Sequence, residues 1–176
     1  MGPVHHTSLI SLWSVCFIAL FFTISSTSAA QCRHLPKVQD SMKSLDRNVQ
    51  LGGHVWIHVF GEPNRDSKEK PEKGKTMWRN VGELNQAWNT WVANQEKTSA
   101  TCGNTAVGYR ECVAVRKLGG VTKLQKCTAV ANNRCTAHGP DLDVAAARFD
   151  YAFKKVGTNS QWILNTAYPS EYPDCH

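Results

Sequence analysis

Apolar side chains recur at near-helical spacing as Leu35, Val38, Met42 and Leu45, and Pro36 stands where a first helical turn tolerates proline. This pattern predicts one short amphipathic helix over 36–49, ended by Gly52 and Gly53. The run Val55-Trp56-Ile57-His58-Val59-Phe60 is rich in β-branched and aromatic residues and predicts a strand. Prolines, Gly74, Asn64 and alternating charges then mark residues 61–75 as an exposed loop. Over 81–94 a helical stripe resumes: Val81, Leu84, Trp88, Trp91 and Val92 share one side, with Glu83, Asn85, Gln86, Asn89 and Thr90 elsewhere. Its tryptophans are expected to face the core.

Further along, two strand-like segments, 107–118 and 121–130, flank Gly119-Gly120 and predict a hairpin. The segment carrying Phe149, Tyr151 and Phe153 turns at Gly157-Thr158-Asn159-Ser160 and returns through Trp162 to Tyr168, which predicts a second antiparallel hairpin. Helix, strand and helix followed mostly by strands is the order of an α+β fold, with N-terminal helices packed on a mostly antiparallel sheet.

The front of the chain follows another rule. Residues 9–24 are almost uninterruptedly apolar, the first thirty residues contain no Lys, Arg, Asp or Glu, and Ser28-Ala29-Ala30 offers small residues for signal peptidase. A signal peptide over 1–30 is expected, because the apolar run is short of the roughly twenty residues a spanning helix needs. Cleavage leaves 176 − 30 = 146 residues, 31–176, the length of a single domain, with no stable membrane insertion. Of seven cysteines, Cys16 leaves with the signal. Cys32, Cys102, Cys112, Cys127, Cys135 and Cys175 remain, an even set that in an exported chain reads as up to three disulfides whose pairing is open. None forms a C-x-x-C pair, which argues against zinc. The net charge of +6 favours RNA or another polyanion as partner, without choosing between nucleic acid, acidic glycans and membrane surfaces.

Two places carry candidate chemistry: Gly52-Gly53-His54-Val55-Trp56-Ile57-His58 and Asn165-Thr166-Ala167-Tyr168-Pro169. In a strand, His54, Trp56 and His58 share a face, so imidazoles that titrate near neutral pH would line one surface. A lone histidine on a strand is more often structural. A metal shared by His54 and His58 would need further ligands, and His34, His138 and His176 complete no spaced motif. Thr166 and Tyr168, at i and i+2, present two hydroxyls on one face.

Gly52-Gly53-His54, the Lys/Arg-bearing stretch after it, and Leu164-Asn165-Thr166-Ala167-Tyr168-Pro169 resemble the bacterial ribonuclease A-like toxin domain at the ends of contact-dependent inhibition proteins. The resemblance implies a ribonuclease A-like fold, here disulfide-stabilised, and RNA cleavage without metal or other cofactor. It implies His54, Thr166 and Tyr168 as catalytic residues, with Arg65 as the catalytic cation and Lys75 or Arg79 as substitutes. The six cysteines and the charged loop depart from that family's pattern. Two functions follow. One is a secreted endoribonuclease acting by transphosphorylation; the other is a non-catalytic extracellular-matrix or defence protein that keeps the fold and binds acidic polymers.

Overall fold

In a computed structural model the chain is described at residues 2, 30–31, 36–66, 68–94, 101–102 and 108–176. Most of the expected signal segment, residues 3–29, lies outside them, as does Cys32. No described helix is long and apolar enough to cross a membrane.

The fold is α+β with mostly antiparallel sheets. A two-residue strand β1 (Ala30–Gln31) precedes α1 (Pro36–Asp40) and α2 (Leu45–Gln50), so the single helix expected over 36–49 is two helices. Ser44 caps α2 by accepting the Arg47 N–H, which starts a new helix. The buried Ser41 hydroxyl donates to the Val38 carbonyl at 2.6 Å and accepts the Leu164 N–H at 3.0 Å, tying the corner to the sheet. The Asp40–Arg47 ion pair at 2.6 Å spans the same corner. Val38, Met42 and Leu45 remain buried together, so the apolar stripe survives the break.

The strand expected over 55–60 is also corrected: Val55–His58 is a 3-10 turn, η1. Its backbone is satisfied locally rather than by a ladder. The buried Asn48 side chain accepts the Val55 N–H at 3.2 Å and donates to the Leu164 carbonyl at 2.7 Å. Val59 alone bridges onward, to Trp78 beside β2 (Thr76–Met77). Trp56 is therefore wholly buried while His54 and His58 are only partly so, and the shared face expected from a period of two does not exist.

Helix α3 (Val81–Ala93) forms as its stripe predicts, with Asn80 accepting the Glu83 N–H at 3.0 Å and Leu84, Ala87, Trp88 and Trp91 buried. Trp88 meets Phe149 edge-on at 5.5 Å, and burying such a side chain contributes roughly 1.5–3 kcal/mol. A short strand β3 (Thr101–Cys102) pairs with β1.

The hairpin expected across Gly119-Gly120 does not form. Strand β4 (Gly108–Ala114) pairs with β8 (Ala146–Val156), which pairs with β9 (Asn159–Ser170). Strand β5 (Lys123–Ala131) instead pairs with β2, β6 (Arg134–His138) and β7 (Leu142–Asp143). A second 3-10 turn, η2 (Val115–Lys117), and two glycines at φ 67° and 86° carry the chain from one sheet to the other. Val113, Leu118, Val121 and Leu124 flank this crossing and are all buried, so core burial outweighs the local hairpin signal. The β8–β9 hairpin forms as expected, around Gly157 at φ 61°. Disulfides join Cys112 to Cys175 and Cys127 to Cys135.

Candidate functional site

Register decides which side chains meet on the β4–β8–β9 sheet. Ala147, Phe149 and Tyr151 of β8 and Trp162, Leu164 and Ala167 of β9 enter the core. By alternation, Arg148 and Asp150 occupy the other face. A bulge shifts the pairing from Tyr151↔Leu164 to Asp150↔Thr166 and leaves Asn165 as the extra residue. Beyond it Thr166 stands opposite Asp150, Tyr168 opposite Arg148, and Arg110 of β4 opposite Asp150 from the other side. Asp150 binds Arg148 at 2.8 Å and Arg110 at 3.7 Å, and the Arg148 guanidinium lies 5.7 Å from the Tyr168 ring centre. This face thus carries an ordered row of cations, one carboxylate and two hydroxyls.

The histidines arrive from η1 along the free edge of β9. The His54 N–H donates to the Asn165 carbonyl at 2.7 Å, so the bulge residue itself anchors the turn. His58 stacks on Tyr168 with ring centres 4.9 Å apart. Its Nδ1 lies 3.2 Å from the Thr76 carbonyl, a contact that assigns the proton to Nδ1 and leaves Nε2 as an acceptor. The two imidazoles do not share one cavity. A space of 420 Å³ is lined by His58, Lys75, Tyr168 and Tyr172, and a second of 480 Å³ by Gly53, His54, Lys68, Lys154 and Lys155. Glu69 lines both, so the two adjoin.

Burial sets the protonation states. It holds His54 below the ordinary imidazole value, helped by Lys154 and opposed by Glu69 and Asp150. It pushes His58 down to about 4 against the favourable Thr76 carbonyl, with His54 and Lys75 adding repulsion. Both rings are neutral at pH 7. Burial raises the Tyr168 phenol despite the opposing pull of Arg148, so it keeps its proton. The Thr166 hydroxyl is buried with no hydrogen-bond partner among the described residues, and the Asn165 amide oxygen is in the same condition. A buried donor left free is costly, which makes Thr166 a candidate to hold a ligand oxygen.

Of the cations singled out in the sequence, Arg65 is engaged elsewhere. It pairs with Glu62 at 2.6 Å and with Asp46, and it lines neither histidine cavity. Arg79 is likewise held by Glu83 and Asp141. Lys75 does reach the cavity of His58 and Tyr168, its amino group 3.8 Å from Glu72. Arg148, Asp150 and Arg110 went unnoticed in the sequence. Their signal was the alternation of Arg148 and Asp150 with apolar neighbours, but the bulge hid which residues they oppose. Among the described residues no three His, Cys, Asp or Glu side chains group as metal ligands. Comparison with protein-family models, curated proteins and solved structures finds no match to this chain.

Proposed function

We propose that the protein is a secreted, metal-independent endoribonuclease with a ribonuclease A-like fold of the toxin-domain kind, cleaving RNA by transphosphorylation. The observation that carries this reading is protonated Tyr168, with the His58 ring stacked on it at 4.9 Å and the Arg148 guanidinium 5.7 Å from its ring centre, close in the sheet to the buried, unpartnered Thr166 hydroxyl, while neutral His54 is anchored to Asn165 and lines the adjoining cavity. Transphosphorylation needs a base for the 2′-hydroxyl, positive charge for the crowded phosphoryl oxygens and an acid for the departing 5′-oxygen.

In this reading the neutral His54 imidazole accepts the 2′-hydroxyl proton as the 2′-oxygen bonds to phosphorus. Arg148 and Lys75 stabilise the charge that gathers on the non-bridging oxygens, roles the sequence resemblance had given to Arg65. Thr166 donates to one of those oxygens. The P–O5′ bond breaks as Tyr168 gives its proton to the leaving oxygen, yielding a 2′,3′-cyclic phosphate and a free 5′-hydroxyl.

The purified protein should cleave single-stranded RNA in the presence of chelator and leave a cyclic phosphate, and His54→Ala should slow it about a hundredfold. Wild-type protein no faster than that variant refutes the reading. The alternative of a non-catalytic polyanion binder draws on Lys68, Lys154 and Lys155, which line one cavity and carry no ion pair among the described residues. Salt-sensitive RNA binding without cleavage is its expected result.

A further inference from the structure

Strand β9 ends at Ser170, and residues 171–176 form a tail that supplies Glu171, Tyr172 and His176 to one wall of the 420 Å³ cavity of Tyr168 and His58. Among the described residues, two links tie this tail to the body of the protein: the Lys126–Glu171 ion pair and the Cys112–Cys175 disulfide, whose Cys112 sulfur also lies 3.2 Å from the Pro173 carbonyl oxygen. Its remaining hydrogen bonds are local, from the Tyr172 N–H to the Ser170 hydroxyl and from the Cys175 N–H to the Tyr172 carbonyl. Cys175 stands at φ 60°, in the left-handed region that residues with a Cβ rarely adopt, so the crosslink keeps a conformation that a free chain leaves. The two disulfides also differ in access. Cys112 is exposed on β4, whereas Cys127 and Cys135 are 1 % and 2 % exposed. Thiol–disulfide exchange starts at a sulfur that a thiolate can reach, which makes exposed bonds the labile ones.

We propose that Cys112–Cys175 is a cleavable bond, attacked at Cys112 by a small thiol, and that its reduction releases the tail that walls the cavity of Tyr168 and His58. The attacking thiolate bonds to the Cys112 sulfur, and the S–S bond breaks as Cys175 leaves as a thiolate. A second thiolate attacks the outer sulfur of the mixed disulfide and frees Cys112. The two small thiols are oxidised to their disulfide, and the protons they give up are taken by Cys112 and Cys175. Cys127–Cys135 stays closed because neither of its residues is open to attack, so β5 and β6 keep their crosslink. The inference stands apart from any cleavage of RNA.

The test is to treat the folded protein with glutathione, alkylate it at timed intervals and map the labelled peptides. Cys112 and Cys175 should be labelled faster than Cys127 and Cys135 by about tenfold or more, while near-ultraviolet circular dichroism keeps its native signal. Amide hydrogen exchange over 171–176 should then quicken by about tenfold or more, with exchange in β8 and β9 unchanged. Equal labelling of the two pairs overturns the proposal, as does a tail that stays protected once Cys112 and Cys175 are free. Loss of the native signal on reduction overturns it too, because the bond would then hold the whole fold rather than the tail. A variant carrying both Cys112→Ser and Cys175→Ser provides an independent check. It should show the fast-exchanging tail with no thiol present, and a protected tail in that variant refutes the release.

Discussion

His58 shows how much a residue's role depends on its surroundings. Spaced four residues from His54, it reads in the sequence as a secondary histidine, yet in the fold it stacks on Tyr168 and is held to about 4 mainly by burial. An unfolded histidine titrates near 6.5, so between those values the unfolded chain binds more protons and stability falls as pH falls. Unfolding free energies from urea titrations should drop as pH is lowered from 6.5 to 4, by up to about 3 kcal/mol, and His58→Asn should flatten that slope. A wild-type slope equal to that of His58→Asn would contradict the assignment. In the proposed ribonuclease reading the same direction applies to His54: as a base already neutral at pH 7 it should keep kcat/KM level there and lose it only as pH falls below the ordinary imidazole value. A pH–rate profile still rising above pH 7 would mean another group serves as base.

Among the elements, the turn at Gly52-Gly53 and the bulge in β9 set the site. A Cβ on Gly53 would collide with the amide of Asn48, the side chain that joins α2 to η1 and β9. Gly53→Ala should therefore destabilise by roughly 1–3 kcal/mol in denaturant unfolding, the usual scale of overpacking. The bulge has a subtler effect. Unbroken alternation would place Thr166 and Tyr168 on the same face as Trp162 and Leu164, against the core. The extra residue Asn165 turns them to the face of Asp150 and Arg148, where Thr166 stays buried and Tyr168 half-buried, and offers its carbonyl to His54. Deleting Asn165 should preserve the pairing of Thr166 with Asp150 and the thermal transition but free His54, and in the proposed ribonuclease reading it should lower RNA cleavage at least tenfold. Full activity in that deletion would separate His54 from the bulge.

At the scale of the whole molecule, the two disulfides act over very different lengths of chain. Cys112–Cys175 closes a separation of 63 residues and Cys127–Cys135 one of 8, so loop-closure entropy assigns them about 4 and about 2.5 kcal/mol. Replacing Cys112 and Cys175 by Ser should lower the unfolding midpoint more than replacing Cys127 and Cys135. These two pairs leave Cys32 and Cys102 of the six, and β1 pairs Gln31, next to Cys32, with Thr101, next to Cys102. Peptide mapping of unreduced protein should yield a Cys32–Cys102 crosslink, and alkylation without reduction should label none of the six. A labelled Cys102 would show that only two bonds form.

Much was legible where a signal is local and repeated. The stripe of α3 announced a helix with its tryptophans inward, and Gly157 between two alternating segments announced the β8–β9 hairpin. The even cysteine count announced disulfides, though not their pairing. The short apolar run 55–60 carried too little periodicity to separate a strand from a 3-10 turn, and Asn48, seven residues before Val55, decided it through hydrogen bonds. Gly119-Gly120 has the chemistry of a hairpin turn, but burying Leu118, Val121 and Leu124 sent the flanking strands to different sheets. His54, Thr166 and Tyr168 were chosen from sequence alone, and the fold places all three along β9. Arg65 precedes the site in sequence and pairs with Asp46 and Glu62, whereas Arg148 reaches Tyr168 across a strand pair. Side-chain type and local period belong to the sequence by itself; which distant charges become neighbours depends on register, and a single bulged residue sets that register through contacts between strands.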